Sequence, residues 1–221
     1  MRGLRVFQRM VPVVFFACLA GCPPPAVVDV AASALVIQPS IIDVDPSPSD
    51  GKVPVIVAFL QGGKSVQLAS SNTVTCNGVT LAWSGIGYGG RVPIVAAGGD
   101  LAVVHARAGV STPVHVTVPA RPVVTSPAAG ASLPRATSLT ITYVAAASAG
   151  IRPGAGDGAT GLSGAEQPDS GTATLDVSKL APGPGTVDVS RRVVSSPTGT
   201  GFASVVTTYT ISSASIHVTW Q

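Results

Sequence analysis

Outside its first 22 residues no window sets an apolar stripe at i, i+3, i+4 and i+7 against a polar opposite face, so no segment reads as an amphipathic helix. It consists instead of short runs rich in Val, Ile and Thr, punctuated by Gly and Pro at a spacing of roughly 8–12 residues, the pattern of antiparallel strands. In the first half these runs cover residues 53–60, 65–69, 73–76, 79–83, 91–96, 100–107 and 113–118. Strands without helices between them bury their apolar faces against one another. The expected fold class is therefore all-β, with antiparallel sheets packed as sandwiches.

The strongest local signal is Asn77-Gly78 within Thr73-Val-Thr-Cys-Asn-Gly-Val-Thr-Leu-Ala-Trp83. A two-residue type I′ turn needs φ > 0 at both central positions, which Asn and Gly accept most readily. That turn sets Cys76 opposite Val79, Thr75 opposite Thr80 and Val74 opposite Leu81. Alternation then puts Val74, Cys76, Val79, Leu81 and Trp83 on one apolar face. Cys76 on that face reads as a small buried hydrophobe rather than a ligand or nucleophile.

Pro119-Ala120-Arg121-Pro122 marks a boundary, after which a second series of strands follows at 138–145, 172–177, 186–194, 204–211 and 215–220. Val187 and Val189 point inward, and a bulge is read at Arg191-Arg192. In the last strand Ile216, Val218 and Trp220 share a face opposite His217 and Thr219. Residues 149–171 are Gly-rich and poor in apolar side chains, and they read as a long flexible loop with room for one edge strand.

Both halves close alike, with a strand, a Gly turn, a Val-rich strand and a final strand. The Leu180-Ala-Pro-Gly183 turn before an alternating strand adds to this cadence, and the two halves resemble immunoglobulin-like or fibronectin-III-like modules in tandem. The antibody-type Cys…Trp…Cys spacing is absent. The resemblance implies a first sandwich over 34–119 and a second over 120–221, the latter carrying the loop 149–171.

The N-terminus carries a separate message. Arg2, Arg5 and Arg9 precede an apolar run over 10–19, which is too short to span a bilayer core of about 30 Å as a helix and fits a secretory signal. Leu19-Ala20-Gly21-Cys22 at its end resembles the lipobox of bacterial lipoproteins. The resemblance implies a signal peptide over 1–21, a diacylglycerol thioether on Cys22, and a new amino group open to acylation. It also implies a bacterial cell-envelope location, lipid-anchored, with the outer membrane indicated because Pro23, not Asp, follows the Cys. Acyl chains anchor additively, at about 0.8 kcal/mol per buried CH₂. Residues 23–33 read as a Pro/Ala tether.

Removing the signal changes the charge balance. The three arginines leave with it, and the remaining ten of 13 basic residues balance ten acidic ones. No basic stripe is left to attract nucleic acid. Cys18 leaves with the signal and Cys22 takes lipid, so Cys76 has no partner for an intrachain disulfide.

No constellation of reactive groups stands out. If the strands at 100–107 and 113–118 pair through a loop at 108–112, His105 lies opposite His115, with Ala102, Val104 and Ala106 facing inward. Two imidazoles fall short of the three or four ligands zinc requires, so they read as polar residues on a solvent face. Asp157, Glu166 and Asp169 in the loop match no calcium-loop spacing, and Asp43, Asp45 and Asp50 read as a solvated turn set. The glycine runs 85–90 and 154–158 do not open a helix, so they lack the dipole that holds a phosphate. No G-x-S-x-G elbow occurs. The expectation is a non-enzymatic binding, adhesion or scaffolding module with no cofactor or metal, held to a membrane through its lipid. Its partner would be a protein or envelope polymer, with no nucleic acid. The alternative is a carbohydrate-binding or accessory subunit of a surface enzyme or export complex. Carbohydrate platforms use exposed aromatic faces, and the chain has only two Trp, three Tyr and five Phe.

Overall fold

The computed structural model describes residues 25–45, 47–136, 138–146, 149–198 and 200–221. The signal, Cys18 and Cys22 lie outside the described residues. The first stretch contains β1 (Ala26–Val28), β2 (Val36–Asp43), β3 (Lys52–Gln61), β4 (Lys64–Leu68), β5 (Asn72–Cys76), β6 (Val79–Thr80), β7 (Ala82–Trp83), β8 (Tyr88–Pro93), β9 (Asp100–Arg107) and β10 (Val110–Thr117). The second contains β11 (Val124–Ser126), β12 (Ser132–Leu133), β13 (Leu139–Tyr143), β14 (Ala149–Gly156), β15 (Gly161–Ser163), β16 (Gln167–Pro168), β17 (Thr172–Leu175), β18 (Gly183–Ser195), β19 (Ser204–Val205), β20 (Thr207–Ser212) and β21 (Ile216–Trp220). The chain is all-β, relieved among the described residues by one 3-10 turn at Ala32–Ala34.

The Asn77-Gly78 hairpin forms in the expected register, with φ of 47° and 77° at the two turn residues and Cys76 opposite Val79. Its faces separate as the alternation requires. Val74, Cys76 and Leu81 are buried, while Thr73, Thr80 and Ala82 are exposed. At Leu81 the ribbon changes sheets: β6 stays beside β5, and β7 crosses to pair with β8.

Buried apolar side chains gather into two clusters. One joins β2, β3, β4 and β8 to the opposing sheet β10-β9-β5-β6, around Ile37, Val57, Phe59, Leu101 and Val103. The other lies between the sheet β11-β13-β17 and strands β14, β18 and β21, around Ile141, Ile151, Val187, Val189 and Trp220. Burying each such Val, Leu, Ile or Phe contributes about 1.5–3 kcal/mol relative to exposure.

Four sequence expectations are corrected here. First, the supposed loop 149–171 contains β14, which pairs with β18 along its whole length and also with β15 and β16. Its alternation is Ile151, Pro153, Ala155, all buried. Neighbouring atoms lie close over the backbone at two of its glycines. A Cβ at Gly154 would sit 2.6 Å from Asp188 Oδ1, and one at Gly156 3.1 Å from the Thr160 carbonyl oxygen. Glycine in a strand often marks such close approach.

Second, no bulge occurs at Arg191-Arg192. Both residues continue the regular ladders to β14 and β20. Third, the stretch read as a tether contains β1, which adds in parallel to β4. Fourth, β9 and β10 join through a two-residue turn, Ala108-Gly109, with φ of 49° and 79°. This places His105 opposite Thr112 and His115 opposite Ala102, and turns Leu101, Val103 and His105 inward instead of Ala102, Val104 and Ala106. The larger side chains win the core because they remove more apolar surface from water.

The two clusters share one sheet. The second half of β18 pairs with β20, and β20 adds in parallel to β2, giving the continuous order β1-β4-β3-β2-β20-β18-β14-β15. Val205, Tyr209 and Ile211 therefore belong to the first cluster although they come late in the chain. The β18–β20 hairpin is an arm that runs along the first sandwich, with Phe202 near its tip resting on Phe59 and His105.

Candidate functional site

Cys76 is fully buried in the first cluster, and burial pushes its thiol up to about 11. At neutral pH it is a protonated, inaccessible side chain, not a nucleophile.

His105 is 1% exposed, far from the solvent face expected for it. Its Nε2 lies 2.8 Å from Asn72 Oδ1, while Asn72 Nδ2 donates to Asp29 Oδ1. The Asn72 oxygen accepts, so His105 donates from Nε2. Burial, and secondarily the Arg107 charge, lower its pKa from 6.5. The unfolded chain then binds the extra proton first. Stability is complete above about pH 6.5 and falls as the pH drops through 6.5 toward the lower folded value. Urea midpoints should decline between these limits in the native chain, and a His105→Gln variant should lack that slope. The exposed carboxylates with lowered pKa, Asp29, Asp50 and Asp176, act only at more acidic pH, below their ordinary value of 3.8.

The acidic residues singled out in sequence go to separate places. Asp157 caps its own turn, accepting from Thr160 N and Ala159 N, and its second oxygen takes Ala181 N at 2.7 Å. These backbone donors, Ala181 first, hold its carboxyl below the usual range. Glu166 lies beside Arg192 at 3.7 Å, and Asp169 pairs with Arg191. Asp50 receives two bonds from Arg91, which hold it down to about 2, and Asp43 pairs with Arg121. Among the described residues no group of three or more His, Cys, Asp and Glu is placed to hold a metal ion. The glycine run 85–90 leads into β8, and 154–158 ends β14.

Two of these pairs clasp the junction between the clusters. Arg191 and Asp169 are 2% and 1% exposed and meet at 2.7 Å. The remaining Arg191 nitrogens donate to the Ala120 and Val144 carbonyls at 2.9 and 2.7 Å. Arg121 donates to Asp43 Oδ1 at the end of β2 and to the Ser212 carbonyl at the end of β20. Ala120 and Arg121, in the boundary read from sequence, are thus fastened to both clusters. The alternation Val187, Val189, Arg191 placed an arginine inward, and that was the available signal. The partner Asp169 comes from another strand end and carries none.

The open surface differs from this interior. The large hydrophobic residues exposed among the described ones are all Val or Ile, and the three most exposed are Val27 (65%), Ile86 (65%) and Val110 (66%). The tryptophans are turned elsewhere. Trp83 packs edge-on against Tyr88 at 5.3 Å, and Trp220 is buried with Nε1 donating to the Gly156 carbonyl. A shallow groove of about 610 Å³ lies between Pro25-Ala26, Gln61, Lys64 and Gly85-Ile86, where the described chain begins. Its walls can make apolar contacts, and Lys64 at its rim can meet an anion.

No family model matches this chain, and no curated protein matches it. Among solved structures it is similar to SGBP-B of the Bacteroides ovatus mixed-linkage glucan utilization locus, in complex with a mixed-linkage heptasaccharide. The two are 12% identical with a TM-score of 0.26, over 92% of this chain and 69% of that one. That score is too low for the likeness to bear on ligand or fold.

Proposed function

We propose that this chain is a lipid-anchored protein of a bacterial envelope, in which two β-sandwich modules, divided near residue 120 with an arm of the second completing the first, act without catalysis as a binding or scaffolding body. The observation that carries the reading is the position of the first strand. β1, the first strand among the described residues, begins at Ala26, four residues after the cysteine of Leu19-Ala20-Gly21-Cys22, so folded structure lies close behind the site where a lipobox takes its lipid. The outer membrane follows from Pro23 in the position that Asp occupies in retained lipoproteins. The shared sheet and the Arg191 and Arg121 clasps support a stiff body, which suits scaffolding. The partner is a protein or an envelope polymer. Aliphatic exposed residues favour contacts with protein or lipid over stacking on sugar rings, which needs open aromatic faces. The carbohydrate-binding alternative draws no support from Trp83 or Trp220.

The test is fractionation of the source cells. The native chain should partition with membranes and need detergent for release. A Cys22→Ser variant whose residues 1–21 are replaced by an ordinary cleaved secretory signal should leave the membrane fraction almost completely, because it carries neither acyl chains nor the apolar signal. Equal membrane retention of both forms would refute the anchor.

A further inference from the structure

The ends of the first sandwich differ, and the strand registers show how. Ser204 pairs with Val36, Val36 with Leu60, and Leu60 with Ser65, while Ala26 pairs with Val66. The β3–β4 turn, the start of β1, the Ile86 turn and the tip of the β18–β20 arm therefore share one pole. Val110 joins them. It opposes Arg107, whose Nε bonds Asp29 just after β1, and a Cβ on arm residue Gly201 would lie 3.1 Å from Thr112. The three most exposed large hydrophobics, Val27, Ile86 and Val110, all lie in this half.

The charges at the two ends differ as well. Asp43, Asp45, Asp50 and Asp100 lie at the opposite end, where β2 finishes and β3 and β9 begin, with Arg121 paired to Asp43 and Arg91 to Asp50. Among the described residues the pole carries the exposed Lys64 and the Arg107–Asp29 pair, and the arm over residues 196–206 has no charged side chain. Among the described residues the pole thus carries three exposed aliphatic side chains, and its unpaired charge, Lys64, is positive.

Chain length supplies the occupant. Cys22 stands three residues before Pro25, which lines the groove. At no more than about 3.6 Å per residue, its Cα lies within about 11 Å of Pro25. We infer that this pole is a membrane-contact surface. Ile86, Val27 and Val110 enter the boundary between headgroups and acyl chains, and Lys64 meets lipid phosphate. The inference rests on lipidation of Cys22. It adds that the body lies against the bilayer instead of swinging on a tether. Apolar area at the interface and basic charge near anionic lipid add to the anchor's hold.

The test uses the lipidated mature chain in vesicles of phosphatidylethanolamine and phosphatidylglycerol. Cys22 is blocked by lipid and Cys76 is buried, so single exposed cysteines can be labelled selectively. Ile86→Cys, Val110→Cys and, at the far end, Ile94→Cys each receive an environment-sensitive fluorophore. Flotation with the vesicles reports the anchor, and quenching by nitroxide-bearing lipids reports contact. The expected result is flotation of all three, a blue shift with several-fold quenching at positions 86 and 110, and neither change at position 94. Flotation with a label at position 86 as unquenched as that at 94 would overturn the pole and leave the anchor standing. Failure to float would overturn the anchor, and the pole with it.

Discussion

Arg191→Ala should lower the unfolding free energy by about 3–5 kcal/mol, the range for removing one partner of a buried ion pair. The substitution leaves the Asp169 carboxylate buried at 1% exposure without its counter-charge, and its Oδ1 already lacks a partner among the described residues. It also orphans the Ala120 and Val144 carbonyls that the guanidinium satisfied. Pairing it with Asp169→Asn should recover part of the loss, because the uncompensated charge goes while the orphan carbonyls remain. Urea titrations of the two variants at neutral pH separate these contributions. A loss below about 1 kcal/mol in the single variant would place Arg191 in solvent and dissolve the clasp.

Gly185→Ala should be comparably damaging. A Cβ there would collide with Trp220 Nε1 and lie within 2.5 Å of the Gly156 carbonyl oxygen. The Trp220–Gly156 hydrogen bond passes over this glycine, so the methyl group must displace the indole or spread β14 from β18. Overpacking costs about 1–3 kcal/mol, and leaving a buried N–H and C=O unpaired adds about 1–3 kcal/mol. Denaturant titration should show a combined loss of about 3 kcal/mol or more. Trp emission should shift to the red as Trp220 gains solvent. Unchanged stability and emission would mean that the Trp220 indole does not lie over Gly185.

These two sites mark where sequence reasoning worked and where it stopped. The all-β class was legible because strand periodicity is local. Asn77-Gly78 named its own turn, and Ile216, Val218 and Trp220 sorted themselves onto one face. Ala108-Gly109 was missed because alanine rarely adopts φ > 0, and that turn then set the faces of β9 and β10. The β14 glycines were missed because a Gly-rich stretch looks the same whether it is free or packed against a neighbouring strand. Only the three-dimensional neighbours, Asp188 beside Gly154 and the Thr160 carbonyl beside Gly156, tell the two apart. The arm was hidden for a related reason. Parallel pairing of β20 with β2 joins residues far apart in the chain, and no local pattern records it.

The chemistry-bearing residues follow the same division. Cys76 could be placed because its turn fixed its face. His105 could not, since its burial depends on the β9–β10 register and on Asn72. The pole could be read only from the registers, because Val27, Ile86 and Val110 lie far apart in sequence.

The central claim is that lipid at Cys22 holds a body whose first strand begins at Ala26. Mass spectrometry of the N-terminal peptide from the mature protein, purified from its own cells in detergent, tests it most directly. The expected peptide starts at Cys22 and carries the mass of a diacylglyceryl thioether. A mature chain beginning elsewhere, with the Cys22 thiol unmodified or removed, would contradict it.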